Sequence, residues 1–224
     1  MSPDNYQSNV TEDNVWSQVI TDIASTSDKA ALFLDRDGAI VEEVNYLHRA
    51  EDISFIPGAI EVIRKSNELG IPVIIVTNQA GIGRQYYNWS HFIDVQKRLQ
   101  TEIFDAGGHI DAVFACPHHI DARAPFDDDD HPWRKPNPGM LLAAADLMDI
   151  DLKGSWIAGD RAGDLRAGLN AGCAGGIHLQ TGHGIREIER DSSLALASTE
   201  FQVKSLGSIA DMLSELPLFK ARLH

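Results

Sequence analysis

The chain has 224 residues, 43% hydrophobic and 23% charged, with 33 acidic side chains against 19 lysines and arginines and a formal charge of −14. That length supports one substantial core, and so acidic a surface is repelled by phosphate backbones and anionic membranes, which argues against nucleic-acid or membrane binding. Two cysteines, Cys116 and Cys173, are too few for a disulfide scaffold, and no apolar run reaches bilayer or signal-peptide length. The expectation is a soluble cytoplasmic protein, a monomer or small homo-oligomer, acting on a small molecule.

Residues 1–28 read as an extension, polar to residue 13 and then predicted as a short helix over 15–24, where Val15, Val19 and Ile23 share one side. Residues 29–224 read as one domain. "AALFLD" (30–35) is a buried strand, and 57–70 a helix with Pro57 near its start and Gly70 at its end. "IPVIIVTN" (71–78) is the next strand, followed by a helix over 90–107 capped by Ser90. "DAVFAC" (111–116) is a third strand, before an inserted acidic loop at 116–135 that contains "DDDD". A helix over 137–148, capped by Asn137, leads to a strand at 155–160, a short helix at 161–172 and a strand at 174–179. An edge strand at 201–205 and a last helix around 207–215 complete the chain.

Continuous apolar strands separated by helices predict an α/β fold of three layers, a Rossmann-like parallel sheet with helices on both faces and no large cap domain. Ligands of such sheets lie beyond the carboxyl ends of the strands. Residues with chemical potential sit at those places. Asp35 and Asp37 follow the first strand, Thr77, Asn78 and Gln79 the second, Cys116 and His118 the third, and Asp160 the fourth.

Two carboxylates one residue apart can take different tasks when a cation holds one of them. Mg2+ takes oxygen ligands, typically one or two carboxylates plus a substrate phosphate, and Asp35 with Asp160 suits it. Asp35, kept ionised, could attack phosphorus; Asp37 could carry the proton. "VTNQAGIG" (76–83) offers a hydroxyl, an amide and free backbone N–H groups to phosphoryl oxygens. Arg134 and Lys135 add positive charge just ahead of a helix. Asp164 is expected to brace its loop, and Arg84 to meet the substrate.

The ordered set "FLDRDG", "VTNQAG", "RKP" and "GD" resembles the haloacid-dehalogenase-type (HAD) phosphohydrolases. "CPHH" (116–119) and "RKPNPGM" (134–140) are similar to the heptose-bisphosphate and histidinol-phosphate phosphatase branch. The resemblance spans about residues 30–182. It implies hydrolysis of a phosphorylated metabolite through a phosphoaspartate, with Mg2+. By position, Asp35 is nucleophile and ligand, Asp37 is acid/base and ligates through its backbone carbonyl, and Asp160 is the third ligand. Thr77 and Asn78 hold the phosphoryl group, Lys135 offsets its charge, and Glu43 to Tyr46, Arg134 and Arg161 face the substrate. A heptose bisphosphate is the expected substrate and histidinol phosphate the alternative. A non-catalytic binding protein is the rival class, against which the intact Asp35, Asp37, Lys135 and Asp160 stand.

Three departures from the family pattern stand out. Ala39 replaces a usual threonine and Arg161 a frequent lysine. Relatives with a cysteine and histidine after the third strand close a zinc site with two later cysteines, and here His131 and Trp133 occupy those places. Structural zinc takes four ligands; Cys116, His118 and His131 remain, with His119 or Asp130 as makeshift fourths. The loop is therefore expected to fold without zinc, a degenerate site at those three residues being the alternative.

Overall fold

The computed structural model describes residues 9–21 and 29–222. Seven strands form its sheet: β1 (Trp16–Val19), β2 (Leu32–Leu34), β3 (Val73–Asn78), β4 (Ala112–Cys116), β5 (Trp156–Gly159), β6 (Gly175–Leu179) and β7 (Gln202–Leu206). Their spatial order is β1-β4-β3-β2-β5-β6-β7, parallel throughout except for β1. The helices are α1 (Ala59–Glu68), α2 (Ala80–Gly83), α3 (Trp89–Asp105), α4 (Gly139–Met148), α5 (Ala162–Ala171), α6 (Glu187–Leu194), α7 (Met212–Glu215) and α8 (Pro217–Ala221).

The inner strands, β2 to β6, are buried almost along their whole length because both faces are covered. Side chains alternate across the pleat: Leu32, Leu34, Val73, Ile75 and Val113 pack with Val62 and Ile63 of α1 and with Phe92 and Leu99 of α3. Phe33, Ile74, Val76, Phe114 and Ile157 pack on the other side with Met140 and Leu141 of α4 and Leu165 of α5. In α1 the buried positions are 59, 62, 63 and 66, the 3–4 spacing of a helix with one apolar face.

Three local expectations are corrected. The segment from residue 15 is a strand where a helix was expected; residues 22–24 of that expectation lie outside the described residues. Trp16 and Gln18 are buried and Val19 is exposed, a two-residue period, and Trp16 pairs opposite Ala115 on β4, whose outer edge β1 covers. Uncovered, that edge would offer unpaired backbone groups, and Trp16 stacks into Trp89 and Phe92 at 5.8 and 5.4 Å between ring centres. Asn88, not Ser90, caps α3, its Oδ1 accepting from the N–H groups of Ser90 and His91 at 3.0 and 3.3 Å. Asn137 does not cap α4; its amide donates to the Asp130 and His131 carbonyls, both at 3.2 Å, and so ties down the inserted loop. At the C-terminus, the 3-10 turn Ile209–Asp211 and α7 fall on the last helix expected around 207–215, and α8 follows beyond extended Leu216.

Candidate active site

Chain direction reverses beside β2: the path runs outward through β3 and β4, then returns to add β5 on the other side. The carboxyl ends of β2 and β5 therefore meet at a switch point, where open α/β sheets form their crevice. Asp35 follows β2, Asp160 follows β5, and Asp164 stands in the first turn of α5. One ligand atom from each lies within 4.8 Å of the other two, which among the described residues makes them the only such metal-capable group. The backbone makes room through glycine. A Cβ on Gly38, which has φ +85°, would lie 2.3 Å from Asp160 Oδ2, and one on Gly182, with φ +48°, 2.4 Å from it.

One ammonium serves this cluster. Lys135 is buried, and its Nζ donates to Asp35 Oδ1 at 2.8 Å and the Val76 carbonyl at 2.7 Å while pairing with Asp164 Oδ1 at 2.7 Å. Burial works against that charge, but Asp164 and Asp35 overcome it and hold Lys135 above the usual lysine range. The carboxylates outnumber it. Burial, reinforced by Asp164 and Asp37, pushes Asp35 up to about 7 despite Lys135, and burial with Asp164 and Asp35 pushes Asp160 up to about 8. Asp160 Oδ2 accepts from the His183 N–H at 2.6 Å, whereas its buried Oδ1 has no hydrogen-bond partner. A site of oxygen donors, short of positive charge and with one buried oxygen unclaimed, fits a hard divalent cation such as Mg2+. Asp164 also braces its loop as expected, Oδ2 accepting from the Arg161 N–H at 2.9 Å; its second role beside Lys135 was not foreseen.

Asp37 sits in a different network. The buried Arg36 guanidinium donates to Asp37 Oδ2 through Nε at 3.1 Å and Nη2 at 2.9 Å, and to Oδ1 through Nη2 at 3.1 Å. Gln79 Nε2 donates to Asp37 Oδ2 at 3.1 Å and to Thr77 Oγ1 at 2.8 Å; its Oε1 accepts from Tyr87 at 2.6 Å and Arg36 at 3.2 Å. Thr77 accepts from Gln79, which leaves its own hydrogen for a phosphoryl oxygen. Neither Arg36 nor Tyr87 was singled out from the sequence. Arg36 lies between two strand-end carboxylates, a signal that could have found it; Tyr87, in the loop before α3, offered none.

These residues line a cavity of about 340 Å³. Its wall also carries Glu43, Asn45, Tyr46, Asn78, Arg84, Arg134 and Arg161; of the segment 43–46 expected to face the substrate, Val44 is exposed and does not line it. Their states differ. The Asn78 amide donates to the Lys135 carbonyl at 3.0 Å and accepts from the Lys135 N–H at 3.1 Å, so it positions the lysine. Arg84 contacts the Tyr46 hydroxyl, pairs with Asp121 at 2.9 Å and reaches His119 at 3.1 Å. Tyr46 is held in this place by left-handed backbone at φ 75°. Burial and the nearby Arg84 and Arg161 keep Arg134 below the ordinary arginine range, the mark of crowded cations in a pocket shaped for anions. His183 lines the cavity too, 3.5 Å from Glu43. Ala39 is fully buried in the core, where its methyl group needs no partner.

Among the described residues, Cys116, His118 and His131 do not gather as a metal-capable group. Cys116 Sγ and His131 Nδ1 are 3.8 Å apart, but His131 Nδ1 accepts the Trp133 N–H at 3.2 Å. His118 stacks on His131 at 3.9 Å between ring centres and reaches the Asp13 carbonyl through Nε2 at 3.3 Å. Trp133 packs edge-on against Phe114 at 5.8 Å. His119 faces Arg84, and Asp130 is engaged by Asn137. The donors do not converge, and four are required.

The profile of the HAD-hydrolase-like family matches residues 132–206. A D-glycero-beta-D-manno-heptose-1,7-bisphosphate 7-phosphatase of Mesorhizobium japonicum is 40% identical over 190 residues, 82% of this chain and 87% of that one. The D-glycero-D-manno-heptose-1,7-bisphosphate 7-phosphatase of Thermosynechococcus vestitus is 42% identical over 72% of this chain and 84% of its own. Among solved structures, the D,D-heptose 1,7-bisphosphate phosphatase of B. bronchiseptica, complexed with magnesium and phosphate, superposes with a TM-score of 0.69 at 28% identity, covering 84% of this chain and 97% of that one. Shared sequence, sheet order and strand-end carboxylates agree: the chain belongs to the HAD-like phosphatases, in the heptose-bisphosphate phosphatase branch.

Proposed function

We propose that this enzyme hydrolyses the phosphomonoester at C7 of a D-glycero-D-manno-heptose 1,7-bisphosphate, with Mg2+ held by Asp35, Asp160 and the backbone carbonyl of Asp37, and Asp164 beside them. The observation that carries the reading is the meeting of Asp35, Asp160 and Asp164, the first and last paired with Lys135, at the foot of an arginine-lined cavity. Bound Mg2+ supplies positive charge to the carboxylates and to the phosphoryl oxygens.

A carboxylate oxygen of Asp35 attacks phosphorus as the bond from phosphorus to the sugar oxygen breaks. Asp37 gives its proton to that departing oxygen, so the products of the first step are the sugar phosphate and a phosphoaspartate. The carboxylate of Asp37 then takes a proton from water, whose oxygen attacks phosphorus. Inorganic phosphate leaves and Asp35 is restored. Lys135 keeps the charges of Asp35 and Asp164 balanced, while Thr77 donates to a phosphoryl oxygen.

Arg84, Arg134 and Arg161 give the remote phosphate a cationic wall, which a bisphosphate uses and histidinol phosphate, with one phosphate and a cationic amine, does not. The names of the relatives favour the same choice. Initial rates on heptose 1,7-bisphosphate and on histidinol phosphate test this. The expected preference is for the bisphosphate by at least about tenfold; equal rates, or preference for histidinol phosphate, would overturn it.

A further inference from the structure

The Asp37 carboxylate is unequally engaged. Three N–H groups point at Oδ2, two from Arg36 and one from Gln79, whereas Oδ1 receives only Arg36 Nη2 at 3.1 Å. A carboxylate oxygen with three donors has no lone pair left for a proton. Without Gln79, the guanidinium alone would leave the two oxygens more nearly equal.

Gln79 itself has no freedom to turn. It is 2% exposed, and its oxygen faces two donors, the Tyr87 hydroxyl and Arg36, while its nitrogen faces two acceptors, Asp37 Oδ2 and Thr77 Oγ1. A flipped amide would set oxygen against oxygen and nitrogen against nitrogen, so one orientation is enforced. Tyr87 is buried beneath the stacked ring of His48, 5.6 Å away, and Arg36 is backed by Phe92, its guanidinium carbon 5.5 Å from the ring centre. The network is anchored in the core and ends on the two groups that must meet the phosphoryl ester, Asp37 and Thr77.

We infer that Gln79, oriented by Tyr87, is a positioning residue that holds Asp37 by Oδ2 and leaves Oδ1 as the oxygen that carries the proton to the leaving group. The inference rests on the proposed acid/base role of Asp37. Removing the amide lets the carboxyl group turn, and proton delivery is lost in proportion to how much the leaving oxygen needs it. Phenolate needs the proton and p-nitrophenolate scarcely does.

The test is the ratio of kcat/KM for phenyl phosphate to that for p-nitrophenyl phosphate. This ratio ends at leaving-group departure, so it excludes phosphoaspartate breakdown, and it is independent of the fraction of protein that is folded. General acid catalysis is worth about 10²- to 10⁴-fold; Q79M is expected to lower the ratio about tenfold, and Y87F less, in the same direction. D37N should lower it further, and Q79M added to D37N should change it no more. A D37N ratio that falls while the Q79M ratio stays at the parent value would overturn the positioning role alone. A D37N ratio equal to the parent value would remove the acid/base assignment beneath it.

Discussion

The floor and the rim of the cavity are built by different parts of the chain. Asp35, Asp160, Asp164 and Lys135 are all buried; the three carboxylates stand at the tips of parallel strands or in the helix turn just behind, and Lys135 reaches them from the segment ahead of α4. Arg84, Arg134 and Tyr46 are half-buried and Arg161 is exposed, and all sit on connecting segments or helix ends. The floor is dense with charge and held by short contacts that leave little room for alternatives. The rim arginines pair with groups on the inserted loop, such as Asp121 and the His118 carbonyl. The sheet fixes the geometry that bond breaking needs, and loops choose what is brought to it.

Removing the cation of the floor should have the largest effect. K135M leaves the buried Asp35 and Asp164 carboxylates without their ion-pair partner, and breaking a buried ion pair from one side costs about 3–5 kcal/mol. Urea unfolding of the metal-free protein should show a loss of that size; an unchanged midpoint would mean the carboxylates are already neutral.

The second prediction concerns pH. Asp35 and Asp160 are raised to about 7 and about 8 from an ordinary 3.8, so the metal-free folded state holds protons that the unfolded chain releases. Its stability therefore falls as pH rises from about 4 to 8. Mg2+ must displace those protons, so its affinity should be at least about tenfold weaker at pH 6 than at pH 8, as isothermal titration would show. Equal affinity at both would place the ion elsewhere.

A rim change should act on one substrate class. R84A removes a guanidinium that also holds Tyr46, and a charge-assisted hydrogen bond is worth about 1.5–3 kcal/mol. The expected outcome is a KM for heptose bisphosphate raised about tenfold or more, with p-nitrophenyl phosphate unaffected. Equal changes for both would mean Arg84 shapes the floor. The smallest effect on turnover is expected from W133C. It should give the loop Cys2His2 donors and about one equivalent of zinc by elemental analysis, against none for the parent chain. Zinc in the parent would show that the stacked histidines open to admit it.

The sequence announced the floor better than the rim. A strand buried on both faces must be apolar along its length, so the polar residues that end it stand out, and Asp35, Thr77 and Asp160 were legible for that reason. Asp164 was harder to place, since a carboxylate in the first turn of a helix has a sufficient local task; its contact with Lys135 depends on how α5 packs. The β1 segment is short enough that valines at 15 and 19 and a tryptophan at 16 satisfy either period, and the outer edge of β4 decided it. The choice of Asn88 over Ser90 as cap turned on the single residue, Trp89, between them. Tyr87 and the partition of Gln79 between four neighbours depend on side-chain directions that no spacing encodes.

The claim beneath all of this is that phosphorus passes through Asp35. Acid quenching during steady turnover of a ³²P-labelled substrate, followed by peptide mapping, tests it directly. Label should appear on the peptide that contains Asp35, be released by hydroxylamine as an acyl phosphate, and be absent together with turnover in D35N. Continued hydrolysis by D35N, or label on a different peptide, would contradict it.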